Sequence, residues 1–385
     1  MDWQAELQHS IRTVDQLKKR MRLSPAEERR LRQVTDRHPM RITPYYASLI
    51  DWDDPADPIM RMAVPNSAEM DLSGSYDTGG EAQSTRMPGL QHKYSETALI
   101  LATNRCAMYC RHCFRKRLVG LPTEEVLKRF GDAARYIEEH TEIKNVLISG
   151  GDPLILPTPV LERFLRRLSE IPHVEFVRVG SRTPITLPSR ILSDDTLLGV
   201  LRRYNRPERQ LYVVTQCNHP AEITPVSIRA IGRILNQGIC ILNQTVLLRG
   251  VNDDPGTLAQ LLSRLTAIGV SPYYVFQCRP VKRVKRFFQI PLEDGYRIVE
   301  SAKAMLPGPA KRFRYVMSHR TGKVEVLAIM GDEVYFKYHQ ARDRRNLGLT
   351  FKRKLKPGAG WLDEFERPET APDRQPADRE RAGDR

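Results

Sequence analysis

The chain has 385 residues, 41% hydrophobic and 28% charged, with a formal net charge of +15, enough for one large core with additions or for two ordinary domains. No apolar run is long enough to cross a bilayer, and Met1-Asp2-Trp3-Gln4-Ala5-Glu6 lacks the basic start and apolar stretch of a secretory signal, so the expectation is a cytoplasmic globular protein with no membrane partner. The Lys and Arg residues are dispersed, without a zinc finger, an RNP-type aromatic motif or a helix-turn-helix signature, so the charge implies a basic surface and anionic small ligands rather than specific nucleic-acid binding.

Residues 1 to about 45 carry helical periodicity with many charges, as in Glu27-Glu28-Arg29-Arg30-Leu31-Arg32, and predict an exposed helical extension. Residues 51 to 90, rich in Asp, Pro, Gly and Ser, read as extended, turn-filled chain. From about 96 short apolar runs alternate with amphipathic helical segments. Six runs predict strands: Ala98-Leu99-Ile100-Leu101, Val146-Leu147-Ile148, Phe176-Val177-Arg178-Val179, Leu211-Tyr212-Val213-Val214, Ile239-Cys240-Ile241-Leu242 and Tyr273-Tyr274-Val275-Phe276. Predicted helices include 123 to 139 and 255 to 267, the latter opening with Asp254 as N-cap and Pro255 at its first position. Strand–helix repetition implies parallel pairing, hence an open doubly wound sheet or an incomplete βα barrel, with the chemistry beyond the C-terminal strand ends. After about 318, Val324 to Ile329 and Glu333 to Tyr338 predict a hairpin through Met330-Gly331-Asp332. The charged segment from about 364 to 385 is expected to be disordered. The implied divisions are 1–95, an N-terminal helical and extended segment; 96–318, the βα unit; 319–362, a C-terminal loop, hairpin and cap; and 363–385, a tail.

Directly after the first of these six strands stands Cys106-Ala107-Met108-Tyr109-Cys110-Arg111-His112-Cys113, while Cys217, Cys240 and Cys278 stand alone. Three cysteines within eight residues suit metal or cluster binding in a reducing compartment better than a disulfide framework. Structural zinc normally takes four ligands from paired knuckles; His112 or a distant residue could serve as a fourth, but no second knuckle exists. Three thiolates on one short loop can instead hold three irons of a 4Fe-4S cube and leave the fourth open to the amino and carboxylate groups of S-adenosylmethionine (SAM). One strand later comes Ser149-Gly150-Gly151-Asp152-Pro153-Leu154, where two adjacent glycines let backbone approach a ligand closely.

At this point the chain resembles the lysine 2,3-aminomutase family of radical SAM enzymes. The resemblance rests on Pro88-Gly89-Leu90-Gln91-His92-Lys93-Tyr94, the cysteine motif with Phe114-Arg115-Lys116-Arg117, and Ser149-Gly150-Gly151-Asp152. It continues through Gly180-Ser181-Arg182-Thr183-Pro184, Asn218-His219-Pro220, Asn243 to Asp253, and Pro272-Tyr273-Tyr274-Val275-Phe276-Gln277-Cys278. It covers roughly 50 to 325. It implies an α/β fold, a radical SAM incomplete (βα)6 barrel with an N-terminal helical extension and a C-terminal β-hairpin and tail, holding a 4Fe-4S cluster, SAM and pyridoxal 5'-phosphate (PLP). The implied activity is an intramolecular transfer of an amino group from C2 to C3 of an amino acid.

By the same resemblance, Cys106, Cys110 and Cys113 would hold the cluster, and Gly150, Gly151, Asp152 and Gln244 would lie against SAM. Lys93 and Tyr94 would lie near the PLP phosphate, Arg115 would bind the substrate α-carboxylate, and Lys323, after Tyr315-Val316-Met317-Ser318-His319-Arg320-Thr321-Gly322, would carry PLP. An ordinary hairpin lysine remains the alternative for Lys323, and a surface arginine for Arg115. Two departures stand out. Arg279 follows Cys278 where the lysine enzymes carry an Asp that pairs with the substrate's distal ammonium, which points to a substrate other than lysine if Arg279 reaches the pocket, and otherwise to the start of the surface run Lys282-Arg283-Lys285-Arg286. No cysteine follows Cys278, so no structural zinc is expected. The expected partners are a small-molecule amino acid, an electron donor such as flavodoxin or ferredoxin, and further copies of the chain in a homo-oligomer. Alternatives are an aminomutase supplying β-lysine for modification of a protein such as elongation factor P, a radical SAM enzyme that has lost PLP, and a zinc-containing nucleic-acid-binding module.

Overall fold

Twelve strands lie side by side in chain order in the computed structural model, which describes residues 2–366. They are β1 (Thr85–Met87), β2 (Leu90–Tyr94), β3 (Thr97–Thr103), β4 (Asn145–Gly150), β5 (Phe176–Gly180) and β6 (Gln210–Thr215), then β7 (Cys240–Leu247), β8 (Val270–Gln277), β9 (Arg314–His319), β10 (Gly322–Met330), β11 (Glu333–Ala341) and β12 (Thr350–Lys354). From β3 to β9 every neighbouring pair is parallel; β1, β2 and β3 pair antiparallel at one margin, and β9 to β12 do so at the other. The two ends of the series do not pair, so the sheet curves without closing.

Each of the six anticipated strands coincides with one of β3 to β8, with only Ile239 falling just before its strand. Their alternation buries Val146 and Ile148, Val177 and Val179, Leu211 and Val213 on one face. Crossover helices supply the opposing layer: Thr158–Ser169 buries Leu161, Phe164, Leu165 and Leu168 from one stripe. Helix starts follow local chemistry. Thr224 and Asp254 accept hydrogen bonds from Ser227 and Thr257 backbone N–H at 3.2 and 2.8 Å, and Pro225 and Pro255 open the helices behind them.

Four expectations need correction. The helix expected over 123–139 spans only Phe130–Glu139, because the Leu127 N–H donates to the Leu101 carbonyl at 2.9 Å and ties the preceding segment to β3. Gly89 permits that approach, since a Cβ there would stand 2.2 Å from the Leu127 nitrogen. A seventh parallel strand, β9, occupies Arg314–His319, beyond the six expected; Tyr315, Val316 and Met317 are buried there, and β9 pairs with β8. The N-terminal segment is not an exposed extension: Val14, Leu17, Met40, Ile42 and Tyr46 are buried in the same core as the barrel strands. Ordered chain continues past 363, where Asp363 pairs with Arg320, Glu364 with Lys285, and Phe365 is buried in a second core beneath β8 to β11. The remainder of the expected tail lies outside the described residues. The anticipated hairpin is present as β10 and β11, and β12 extends it.

Candidate active site

A cavity of about 340 Å³ opens at the C-terminal ends of the parallel strands, and all twelve residues singled out from the sequence line it: Lys93, Tyr94, Cys106, Cys110, Cys113, Arg115, Gly150, Gly151, Asp152, Gln244, Arg279 and Lys323. Parallel pairing brings the strand ends together, so motifs more than 200 residues apart share one wall.

The cysteine loop follows β3 and is fixed by its backbone. Tyr109 N–H donates to the Arg41 carbonyl at 3.0 Å and Arg111 N–H to the Met62 carbonyl at 2.8 Å. Beneath it Glu69, wholly buried, accepts from Arg111 Nε and Nη2 at 2.8 and 2.6 Å and from Lys116 Nζ at 2.6 Å. Burial alone would raise the Glu69 carboxyl, but Arg111 and Lys116 outweigh it and hold it at about 2. The three thiols are free of disulfides and face the cavity; burial pushes Cys106 up, and pushes Cys113, with help from Cys110, to about 11. Among the described residues no three His, Cys, Asp or Glu side chains converge as ligands of a single metal ion. Cys106, Cys110 and Cys113 do bear electrostatically on one another, the proximity that ligands for three corners of one iron-sulfur cube require.

The Gly-Gly turn joins the β4 end to this loop. Gly150 has φ +113°, and a Cβ on Gly151 would stand 2.1 Å from the Arg105 carbonyl oxygen. Gly151 and Asp152 N–H groups donate to the Thr103 and Arg105 carbonyls at 2.5 and 2.7 Å, so both glycines serve close packing against the start of the cysteine loop. Asp152 is fully engaged: its carboxylate accepts from Ser181 Oγ at 2.6 Å and from the backbone N–H of Leu154, Arg182 and Thr183 at 3.0, 2.8 and 3.0 Å. It therefore binds the turn after β4 to the turn after β5. From that second turn Arg182 reaches Cys110 Sγ at 2.6 Å and Glu222 Oε1 at 2.5 Å, and Glu222 also accepts from Tyr46.

Arg115 is buried, with Nη1 at 3.2 Å from the Gly150 carbonyl and 3.3 Å from Ser149 Oγ, and Nε at 3.3 Å from Glu81. Glu81 also pairs with Arg117 at 2.8 Å. Burial would raise the Glu81 carboxyl, but Arg115, Arg117 and Arg279 overcome it and hold it below its ordinary value. Arg279 enters the cavity from the end of β8, donates to Ser318 Oγ at 2.8 Å and lies over the Phe114 ring at 4.3 Å. It does not belong to the surface run that follows it.

Lys323 occupies the start of β10, opposite Ser318 of β9 and Gln340 of β11. Its Nζ lies 4.7 Å from the Tyr274 ring centroid and 6.0 Å from that of Tyr94, with no carboxylate partner among the described residues. Burial first, then Arg178, Lys93 and Arg279, lowers its amine to about 7. Lys93 donates to the Gly79 and His319 carbonyls at 2.9 and 2.6 Å, and burial lowers it also to about 7. Five buried polar atoms on the cavity wall have no hydrogen-bond partner, His112 Nδ1, Thr215 Oγ1, Gln340 Oε1 and the donors Gln91 Nε2 and Arg178 Nε. Such atoms cost roughly 1–3 kcal/mol each when left unmet, so the part of the cavity that holds the two donors fits a polar, anionic guest such as PLP. An amine that is partly neutral near pH 7 fits its aldehyde.

Glu69, Glu81 and Glu222 were invisible to sequence reasoning, since each is a lone acid in an unremarkable stretch. Arg182 stood inside a matched block without an assigned role.

Residues 100–262 match the Radical SAM superfamily. The chain is 44% identical over 343 residues to an Aquifex aeolicus protein provisionally named an L-lysine 2,3-aminomutase, covering 89% of this chain and 91% of that one. It is 38% identical over 310 residues to the L-lysine 2,3-aminomutase of Clostridium subterminale, covering 80% of this chain and 73% of that one. It is likewise 38% identical over 310 residues to the glutamate 2,3-aminomutase of Clostridioides difficile, covering 80% and 71%.

Proposed function

The chain belongs to the lysine 2,3-aminomutase family of radical SAM enzymes, and from that premise we propose which residues perform its amino-acid 2,3-aminomutase reaction and which substrates it takes. When bound, the 4Fe-4S cluster and SAM supply a carbon radical that removes hydrogen from the β-carbon, and PLP supplies the carrier through which nitrogen passes from C2 to C3.

Cys106, Cys110 and Cys113 hold the cluster, and Glu69 with its two cations keeps their loop in shape. Lys323 carries PLP, while Lys93, Tyr94 and Arg178 hold and shield it. Arg115 receives the substrate α-carboxylate; Glu81 fixes the guanidinium plane, so its free edge is oriented before substrate arrives. Gln244 and the Gly150–Gly151 backbone border SAM. The observation that carries this reading is that these residues, Glu69 apart, are drawn from seven separate stretches and line one cavity.

The charge of that cavity supports a substrate with an acidic or neutral side chain. Lys93, Arg115, Arg178, Arg279 and Lys323 face it, whereas Glu81 is held by two arginines and Asp152 is saturated with hydrogen bonds. A second ammonium near Arg279 would be repelled in a medium of low dielectric, and a distal carboxylate would be attracted. Anaerobically reconstituted enzyme assayed against lysine, glutamate, arginine and ornithine tests this: glutamate should turn over and lysine should not. Lysine turnover at a higher kcat/KM than glutamate overturns the charge argument.

Six free cysteines support a reducing compartment, the cytoplasm. Exposed Met330 at the end of β10, and Leu347 and Leu349 in the connection from β11 to β12, support association into a homo-oligomer, which light scattering tests. The electron comes from a flavodoxin- or ferredoxin-like donor.

A further inference from the structure

On the outer side of the cysteine loop, away from the cavity, three arginines gather around one tyrosine. Arg41 Nη1 donates to the Cys106 carbonyl at 3.0 Å, and its guanidinium carbon stands 5.1 Å from the Tyr109 ring centroid. Arg12 and Arg105 are exposed, and both bear electrostatically on Arg41 and on Tyr109. None of the three has a carboxylate partner among the described residues, so their charges add rather than cancel. Arg105 immediately precedes Cys106, so an exposed cationic side chain is one residue from a thiol that faces the cavity.

Arg12 and Arg105 repel Arg41 in the isolated chain, and the field of the three extends outward, where a net charge of +15 reinforces it. We propose that Arg12, Arg41 and Arg105 form the docking face for an acidic one-electron carrier protein, which reduces the cluster through the Cys106 side of the loop. This rests on the cluster reading given above. One electron leaves the reduced centre of the carrier and enters the cluster; the carrier is left oxidised by one electron, and no proton or atom crosses the interface. Electron-transfer encounters are small and short-lived, so charge complementarity rather than a large apolar area is what such a face needs. Arg41, held by Cys106 and Tyr109, is a positioning residue, while Arg12 and Arg105 meet the partner.

The test uses the full-length reconstituted protein with two reductants, dithionite and reduced flavodoxin, and reads methionine released from SAM together with the carrier's KM at several salt concentrations. The double variant Arg12→Glu/Arg105→Glu is expected to keep iron content and dithionite-driven methionine release unchanged. It should raise the KM for flavodoxin roughly tenfold or more, and remove most of the salt dependence seen with the native protein. The milder pair Arg12→Gln/Arg105→Gln should fall between. An unchanged flavodoxin KM, or equal losses with both reductants, overturns the docking assignment while leaving the radical chemistry intact. Native protein that releases no methionine with dithionite overturns the cluster reading, and this inference with it.

Discussion

Lys323 offers the sharpest test, because its environment sets a pH at which it should react. An ordinary lysine titrates near 10.4, so only about one in 2,500 is neutral at pH 7. Burial and the cations Arg178, Lys93 and Arg279 bring Lys323 to about 7, where half of it is neutral, an advantage of roughly 10³ in reactive amine. Capture of PLP by the cofactor-free protein should therefore rise about tenfold per pH unit below 7 and level off above about 8. The assay is brief exposure to PLP across that range, reduction with borohydride, and location of the adduct by peptide mass spectrometry. The Lys323→Ala variant should lose the adduct at that peptide, while Lys93→Ala should keep it. Capture that still climbs toward pH 10, or an adduct mapping to Lys93, would refute the reasoning. The same shift carries a linked effect on stability. Between about 7 and the ordinary lysine value the unfolded chain holds a proton that the folded chain has lost, so the empty protein should gain stability as pH rises through that window.

Other outcomes follow from the surroundings of the cysteine loop. Glu69→Gln leaves Arg111 and Lys116 buried without an anion and should cost about 3–5 kcal/mol by urea denaturation, with reduced iron incorporation. The native carboxyl, held at about 2 rather than its ordinary value, contributes stability that is complete above pH 4.5 and is lost as pH falls toward 2, which acid denaturation of the two proteins compares. Gly151→Ala forces a methyl group against the Arg105 carbonyl, 2.1 Å away, and should destabilise by about 1–3 kcal/mol while lowering iron content. Arg115→Lys keeps the charge but loses the planar fork, so KM for the amino acid should rise about tenfold or more while dithionite-driven SAM cleavage stays near normal.

Local chemistry alone made much of this protein legible. Six apolar runs bounded by amphipathic helices identified six of the seven parallel strands, because alternate side chains of such strands fill the core and a parallel neighbour demands a crossover. The cysteine spacing pointed to a cluster loop, since three ligands of one cube can come from a single short stretch of chain. Long-range partners left no such mark. Nothing around Glu69 distinguishes it from a surface acid, yet it lies wholly buried between Arg111 and Lys116 because the N-terminal segment packs on the barrel instead of extending from it. The run at 315–317 is too short to be told from loop, and only an unpaired edge of β8 makes it a strand. Arg279 has the same neighbours in sequence whether it faces solvent or substrate; the direction in which the chain leaves β8 turns it inward toward Ser318. Sequence thus fixes those features whose determinants lie within a few residues, whereas the charge of the cavity arises from side chains brought together only when the sheet curves around it.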